Sequence, residues 1–224
     1  MTNHPDQVSE KSAETLDSLL AHHVAGGLPM PVDLLVRSHL EIRADSRLLV
    51  DRLESLAGDA LEAIEPAQLA HRDTMLERIT GGSFHSGAGM AAAQDRTCAI
   101  MPRALRDFTG YTADDIPWRT KLPGFRDCRL GEVEGCEAEL LWIRAGRAMP
   151  SHTHGGSELT LVLEGGFSDT DGHYIRGDIC AADESVDHRP VADEDGPCIC
   201  LAVTTAPLKL TGSMRQLFSD IFGR

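Results

Sequence analysis

The chain has 224 residues, 42% hydrophobic and 25% charged, with 35 acidic residues against 21 lysines and arginines and a formal charge of −14. That excess argues against direct nucleic-acid or anionic-membrane binding, since both need a basic face; small ligands and basic protein surfaces remain as partners. No run approaches the ~20 apolar residues of a membrane span, and the polar opening MTNHPDQVSEKSAET lacks an apolar signal core, so a cytoplasmic location is expected.

The first elements read as helix. Leu16, Leu19, Leu20 and Val24 recur at helical spacing, and Gly26, Gly27 and Pro29 stop the helix. A second helix fits VDLLVRSHLEI, breaks near Asp45 and resumes as SRLLVDRLESLAGDAL, with Leu48, Leu49, Leu53 and Leu56 as its expected buried stripe. Pro66 suits the first turn of a fourth helix through Ile79, with Leu69, Leu76 and Ile79 as expected core. Residues 1–80 are thus expected to form a small helical bundle. The Gly/Ala/Ser-rich stretch 81–97 reads as a linker. Residues 98–224 change texture: AELLWIRAG, LTLVLEGGF, HYIRGDICAA and CICLAVTTA are short β-type runs separated by turn residues, as in an all-β sandwich or barrel. The terminal SMRQLFSDIFGR is expected as a short amphipathic helix. The fold class is two-domain, α plus β.

Within the β half, GRAMPSHTHGGSELTLVLEG carries the chemistry. Residues two apart on a strand face the same way, so His152 and His154 point together, and Glu158 opens the next strand. The run GDICAADESVDHRP ends in His188. Three imidazoles and one carboxylate make a four-ligand site for one borderline divalent metal, with zinc placed first and iron, manganese or nickel as alternatives. His4, His22, His23, His71, His85 and His173 are scattered and read as surface or partly buried residues.

The spacing resembles the cupin superfamily, whose first motif G-x5-H-x-H-x3-E-x6-G is met at Gly146, His152, His154, Glu158 and Gly165. In the second motif, G-x5-P-x-G-x2-H, Gly177 and His188 align while Asp183 and Ser185 replace the proline and glycine, so a looser turn before His188 is expected. The resemblance implies a double-stranded β-helix, or jelly-roll, barrel.

LLAHHVAGGLP with the S-H-L-E helix, W-R-T-K-L-P-G, ELTLVLEGGFSD, DHRP and CICLAVTTAPLKLTG together resemble the ChrR-type anti-sigma factors, in which a helical anti-sigma domain precedes a cupin-like domain. The resemblance implies that the helical half holds an extracytoplasmic-function (ECF) sigma factor inactive, and that a zinc-binding cupin half permits release under oxidative signals. One departure stands out. The family's helical zinc motif H-x3-C-x2-C keeps His39 here, but its cysteine positions fall on Arg43 and Ser46, and the upstream histidine position on Glu14. No zinc is expected among the helices, which would then rest on their leucine stripes alone; an alternative site from His22, His23, His39 and His71 is the weaker option.

Of the six cysteines (Cys98, Cys128, Cys136, Cys180, Cys198 and Cys200), none forms a C-x-x-C pair, and all are expected as free thiols. Cys198 and Cys200 are the candidate redox-sensing pair; strand spacing puts them on one face about 7 Å apart, too far for an unstrained disulfide. The expected partner is an ECF sigma factor, with a homodimer through the cupin half also compatible. No enzyme activity is expected. The alternatives are a cupin metalloenzyme, dioxygenase- or isomerase-like, and a small-ligand-binding cupin. An open coordination position would favour the enzyme.

Overall fold

A computed structural model describes residues 10–68, 70–81 and 100–213. The linker beyond Gly81, Cys98, Leu69 and the C-terminal segment from 214 lie outside those residues, so their expected roles receive no structural account. Four helices come first: α1 (Glu10–Val24), α2 (Met30–Ile42), α3 (Ala44–Glu62) and α4 (Arg72–Thr80). A fifth, α5 (Arg103–Thr109), precedes the strands and was not foreseen. No helix is long and apolar enough to cross a membrane.

Gly26 takes a left-handed φ of 66° and ends α1, its amide donating to His23 O. The break between α2 and α3 is a single extended residue, Arg43, at φ −102° and ψ 108°. That is earlier than the expected break near Asp45.

The β half contains β1 (Arg119–Leu122), β2 (Phe125–Val133), β3 (Cys136–Ile143), β4 (His152–His154), β5 (Glu158–Glu164), β6 (Gly166–Ser168), β7 (His173–Ile175), β8 (Ile179–Ala182), β9 (Val191–Ala192), β10 (Cys198–Thr204) and β11 (Leu208–Leu210). All ladders are antiparallel. The main sheet runs β1-β2-β3-β10-β5-β8; facing it are the β11-β4 pair and the β7-β6-β9 sheet. This is the expected cupin-like β-sandwich.

The strands β8 and β10 of the main sheet are buried on both faces, which explains their unbroken apolar runs, whereas β1 and much of β2 are exposed. On β10, Ile199, Leu201 and Val203 face the helices, while Cys198 and Cys200 face the barrel interior with Val162, Phe167 and Tyr174. The helix-facing side joins Leu140, Leu161 and Leu163 to Leu20, Leu35, Val36 and Leu105 in one core. The helices therefore do not rest on their own leucines, as the sequence reading had it.

Polar ties reinforce the seam. Glu134, in the β2–β3 turn at φ 53°, accepts the amide of Met30 at 2.6 Å and caps α2. Glu41 of α2 accepts the amides of Arg103 and Ala104 at 2.5 and 2.8 Å, capping α5.

Two expectations about the helix stripes are corrected. Of the expected stripe, Leu49 and Leu53 do pack partly against the core, beside the buried Val50, while Leu48 and Leu56 are 60% and 64% exposed. α4 begins at Arg72 rather than near Pro66, and its Met75, Leu76 and Ile79 are exposed rather than core.

A shared core makes a prediction. Leu35, fully buried between helices and sheet, should cost about 2–5 kcal/mol on substitution by alanine. Helical circular dichroism and tryptophan fluorescence should then shift together to lower denaturant, whereas a shift of the helical signal alone would contradict one core.

Candidate metal centre

Local structure fixes each of the four side chains expected to form the site. Gly146, at φ 68°, has Glu194 where a Cβ would stand. Gly165, at φ 67°, has the Pro197 carbonyl in that place and turns the chain from β5 into β6. Between those turns β4 presents His152 and His154 inward, with outward Thr153 between them. Glu158 opens β5, and an isolated bridge pairs His152 with His188. The run before His188 is not loose. Asp183 Oδ1 accepts the Ser185 amide at 2.9 Å and its hydroxyl at 2.5 Å, and Val186 N donates to Asp183 O. An Asx-type turn thus replaces the missing Pro and Gly.

The structure brings His152, His154, Glu158 and His188 together, one ligand atom from each lying within 4.8 Å of all the others. The three histidines are buried. His152 Nδ1 donates to Pro150 O at 2.8 Å, and His188 Nδ1 donates to Asp169 Oδ2 at 2.8 Å. With Nδ1–H spent outward, each ring turns its Nε2 inward, and those two atoms stand 3.1 Å apart. His154 Nε2 is 3.3 Å from His188 Nε2. Two facing lone pairs cannot hydrogen-bond.

The carboxylate repeats the pattern. Glu158 Oε2 lies 3.0 Å from His154 Nδ1, yet the two are not aligned for a hydrogen bond, and both are buried without a partner. Burial pushes the Glu158 carboxyl up, but the imidazoles of His154 and His152 outweigh it and hold the group below its ordinary value. Burial also holds His152 below the ordinary histidine value, so its ring stays neutral. One carboxylate and three imidazoles whose ring nitrogens converge suit a divalent cation. The nitrogen separations also match the edge of a tetrahedron with ~2.05 Å bonds, about 3.3 Å. The residues present fit a metal.

Asp169 was not singled out from the sequence. Its side chain is 1% exposed; Oδ1 accepts the amides of Asp171 and Gly172, and Oδ2 holds His188. The D-x-x-G turn was its only sequence signal. Beside the four residues, a cavity of 30 Å³ is lined by apolar side chains including Leu141, Met149 and Phe167. It has room for one or two waters but not for a sugar or an organic acid.

Cys198 and Cys200 face this interior with sulfurs 3.4 Å apart. The expected 7 Å is thereby corrected: it is the backbone repeat, and the side chains lean together across it. Cys200 is raised well above its ordinary value, first by its contact with Cys198 and then by burial. Both remain thiols, as do the other described cysteines, Cys128, Cys136 and Cys180.

Among the helices, His39 has both ring nitrogens engaged: Nδ1 donates to Gly177 O and Nε2 accepts from the Ser46 hydroxyl, each at 2.7 Å. Arg43 turns away to pair with Asp178 of the β half. Among the described residues, His22, His23, His39 and His71 do not gather into one site.

The comparisons with known proteins agree with this geometry. Residues 108–208 match the family model described as the ChrR cupin-like domain. The anti-sigma-E factor ChrR of Cereibacter sphaeroides is 34% identical over 206 residues, covering 92% of this chain and 95% of that protein. This chain belongs to the ChrR anti-sigma factor family. The crystal structure of Rhodobacter sphaeroides SigE in complex with the anti-sigma ChrR superposes with a TM-score of 0.71 at 34% identity, covering 84% of this chain and 96% of that one. The ChrR likeness thus spans the helices as well as the barrel, and it points to a regulator rather than an enzyme.

The carboxylate–histidine pair yields a test. Asp169→Asn should weaken zinc binding about 10–100-fold and His188→Ala more, measured by competition with a chromophoric chelator. Affinity unchanged in both variants would mean that His188 is not a ligand.

Proposed function

We propose that the chain holds an ECF-type sigma factor inactive through an apolar surface on α3 and α4, and that a metal-binding barrel governs that hold. One observation carries the first part. The stripe that begins as core at Val50 and Leu53 continues at helical spacing through Ala57 to Leu61, which is 69% exposed, and Ile64, just past the helix end, is 65% exposed. α3 is 19 residues long, and every residue of it after Leu53 is exposed. α4 adds Met75, Leu76 and Ile79, and among the described residues none of these is buried. Apolar stripes on exposed helices are how helices engage a partner.

The mechanism is steric. Burying these side chains against a sigma factor would occlude the surface it needs for polymerase or promoter. A net charge of −14 would raise the encounter rate with a basic partner. The relative whose structure is known was crystallised in complex with a sigma factor, SigE, and that supports the same class of partner here.

In the barrel, His152, His154, Glu158 and His188 would hold one metal ion, zinc first, supplying a fixed point that ties β4, β5 and the segment before β9. The confined cavity favours regulation over turnover of an organic substrate. Cys198 and Cys200 are the barrel's oxidisable pair, kept as thiols until the interior opens. Peroxide-triggered release unchanged in a Cys198→Ser/Cys200→Ser variant would remove them from the mechanism.

Co-expression tests the surface. The full chain should co-purify with a sigma factor encoded nearby, and Leu61→Asp with Ile79→Asp should weaken the complex at least about 100-fold. Undiminished binding would place the interface elsewhere.

A further inference from the structure

The sheet edge nearest the metal centre is covered by helices, and the contacts fall on one strand. β8 is the last strand of the main sheet, so one side of it has no strand neighbour. There the Ala181 amide donates to Ser12 Oγ of α1 at 3.2 Å, and Ser12 Oγ also lies 3.4 Å from the buried Tyr174 hydroxyl. Just past the strand, Asp183 pairs with Lys11 of α1 at 2.8 Å.

The other end of β8 is held by α2. The turn before it presents Gly177 O to His39 Nδ1, and Asp178, nearly buried, pairs with Arg43. Gly177 sits at φ 93°, and a Cβ there would stand 2.8 Å from Ile42 and 3.0 Å from Arg43, so turn and helix touch backbone to side chain. The two residues at degenerate zinc positions in this region, Arg43 and Ser46, now belong to this contact: Ser46 fixes the His39 ring and Arg43 crosses the seam. Together they make a direct tie between the halves.

On its inner side β8 belongs to the metal centre. Glu158 is paired with Ala182 across the β5–β8 ladder. The chain leaving β8 runs through the Asp183–Ser185 turn to His188, whose backbone is bridged to His152. Two of the four candidate ligands thus flank one short strand whose opposite side and both ends are gripped by helices. Close-packed interiors transmit strain, so a displacement at Glu158 or His188 bears on the strand that α1 and α2 hold.

We propose that β8 is the element through which the occupancy of the barrel site is transmitted to α1 and α2, with Lys11, Ser12 and Arg43 as the helices' grips on it. This rests on the metal reading of the four-residue site and is independent of the identity of the protein partner. It assigns Lys11, Ser12 and Arg43 a coupling role distinct from metal binding.

Hydrogen exchange on the full chain, with and without one equivalent of Zn²⁺, tests it. In the unaltered protein, zinc should slow exchange of α1 and α2 amides about tenfold, alongside the barrel amides. A Lys11→Ala/Ser12→Ala/Arg43→Ala variant should bind the same zinc per chain and keep barrel protection, while the helix response falls below about twofold. The conservative Lys11→Arg/Arg43→Lys variant, which keeps both cations and leaves the Asp183 turn untouched, should keep the response, which separates lost coupling from lost folding. Helices that ignore zinc while the barrel responds, or a triple variant that responds like the parent, would overturn the proposal. A chain that takes up no zinc would overturn the site reading, and this inference with it.

Discussion

The barrel is organised around a set of polar atoms that cannot satisfy one another. His152 and His188 each spend Nδ1–H on an outer acceptor, which leaves two bare nitrogens 3.1 Å apart in a buried space. Glu158 adds an ionised carboxylate oxygen with no aligned donor. Orphaned buried polar atoms each cost about 1–3 kcal/mol. A protein that keeps such atoms together, on three separate chain segments, gains from what they bind jointly. The surroundings obey the same demand: Asp169 and the Pro150 carbonyl set tautomers, glycine turns at Gly146 and Gly165 set the strand ends, and apolar side chains fill the remaining space.

That interior is one face of a sheet whose other face is helical ground. Alternation along β10 sends its cysteines inward and its aliphatic residues outward to Leu20, Leu35 and Val36. A change on the inner face is therefore one strand's thickness from the helices. Where the family's zinc motif has lapsed, polar contacts cross the seam: a neutral His39, its affinity for a proton lowered by burial, joins the bundle to the Gly177 carbonyl. The exposed half of α3 and the exposed α4 remain available to a partner.

Much of this was legible in the sequence because strand geometry is simple. Alternate residues share a face, so H-x-H followed by a glutamate at fixed spacing marks a converging set, and glycines at defined offsets mark its turns. Asp169 was not legible: it reaches His188 across 19 residues through an Asx turn that resembles many surface turns. The stripe of α3 misled for a different reason. Leu49 and Leu53 do meet the core, but Leu48 and Leu56 are as periodic as Val50, and only the position of the partner surfaces decides which of them is buried. The Cys198–Cys200 spacing misled because a backbone repeat was read as a sulfur separation. The shared core of helices and sheet was also invisible, because apolar runs on β3, β5 and β10 announce burial without saying what covers each side.

The account stands on a cation held by three imidazoles and a carboxylate inside the barrel. X-ray absorption at the metal edge, on protein purified with its native metal and quantified per chain, tests that most directly. It should return one metal per chain in a nitrogen- and oxygen-only shell with imidazole scattering. Metal-free protein, or a shell containing sulfur, would contradict the account.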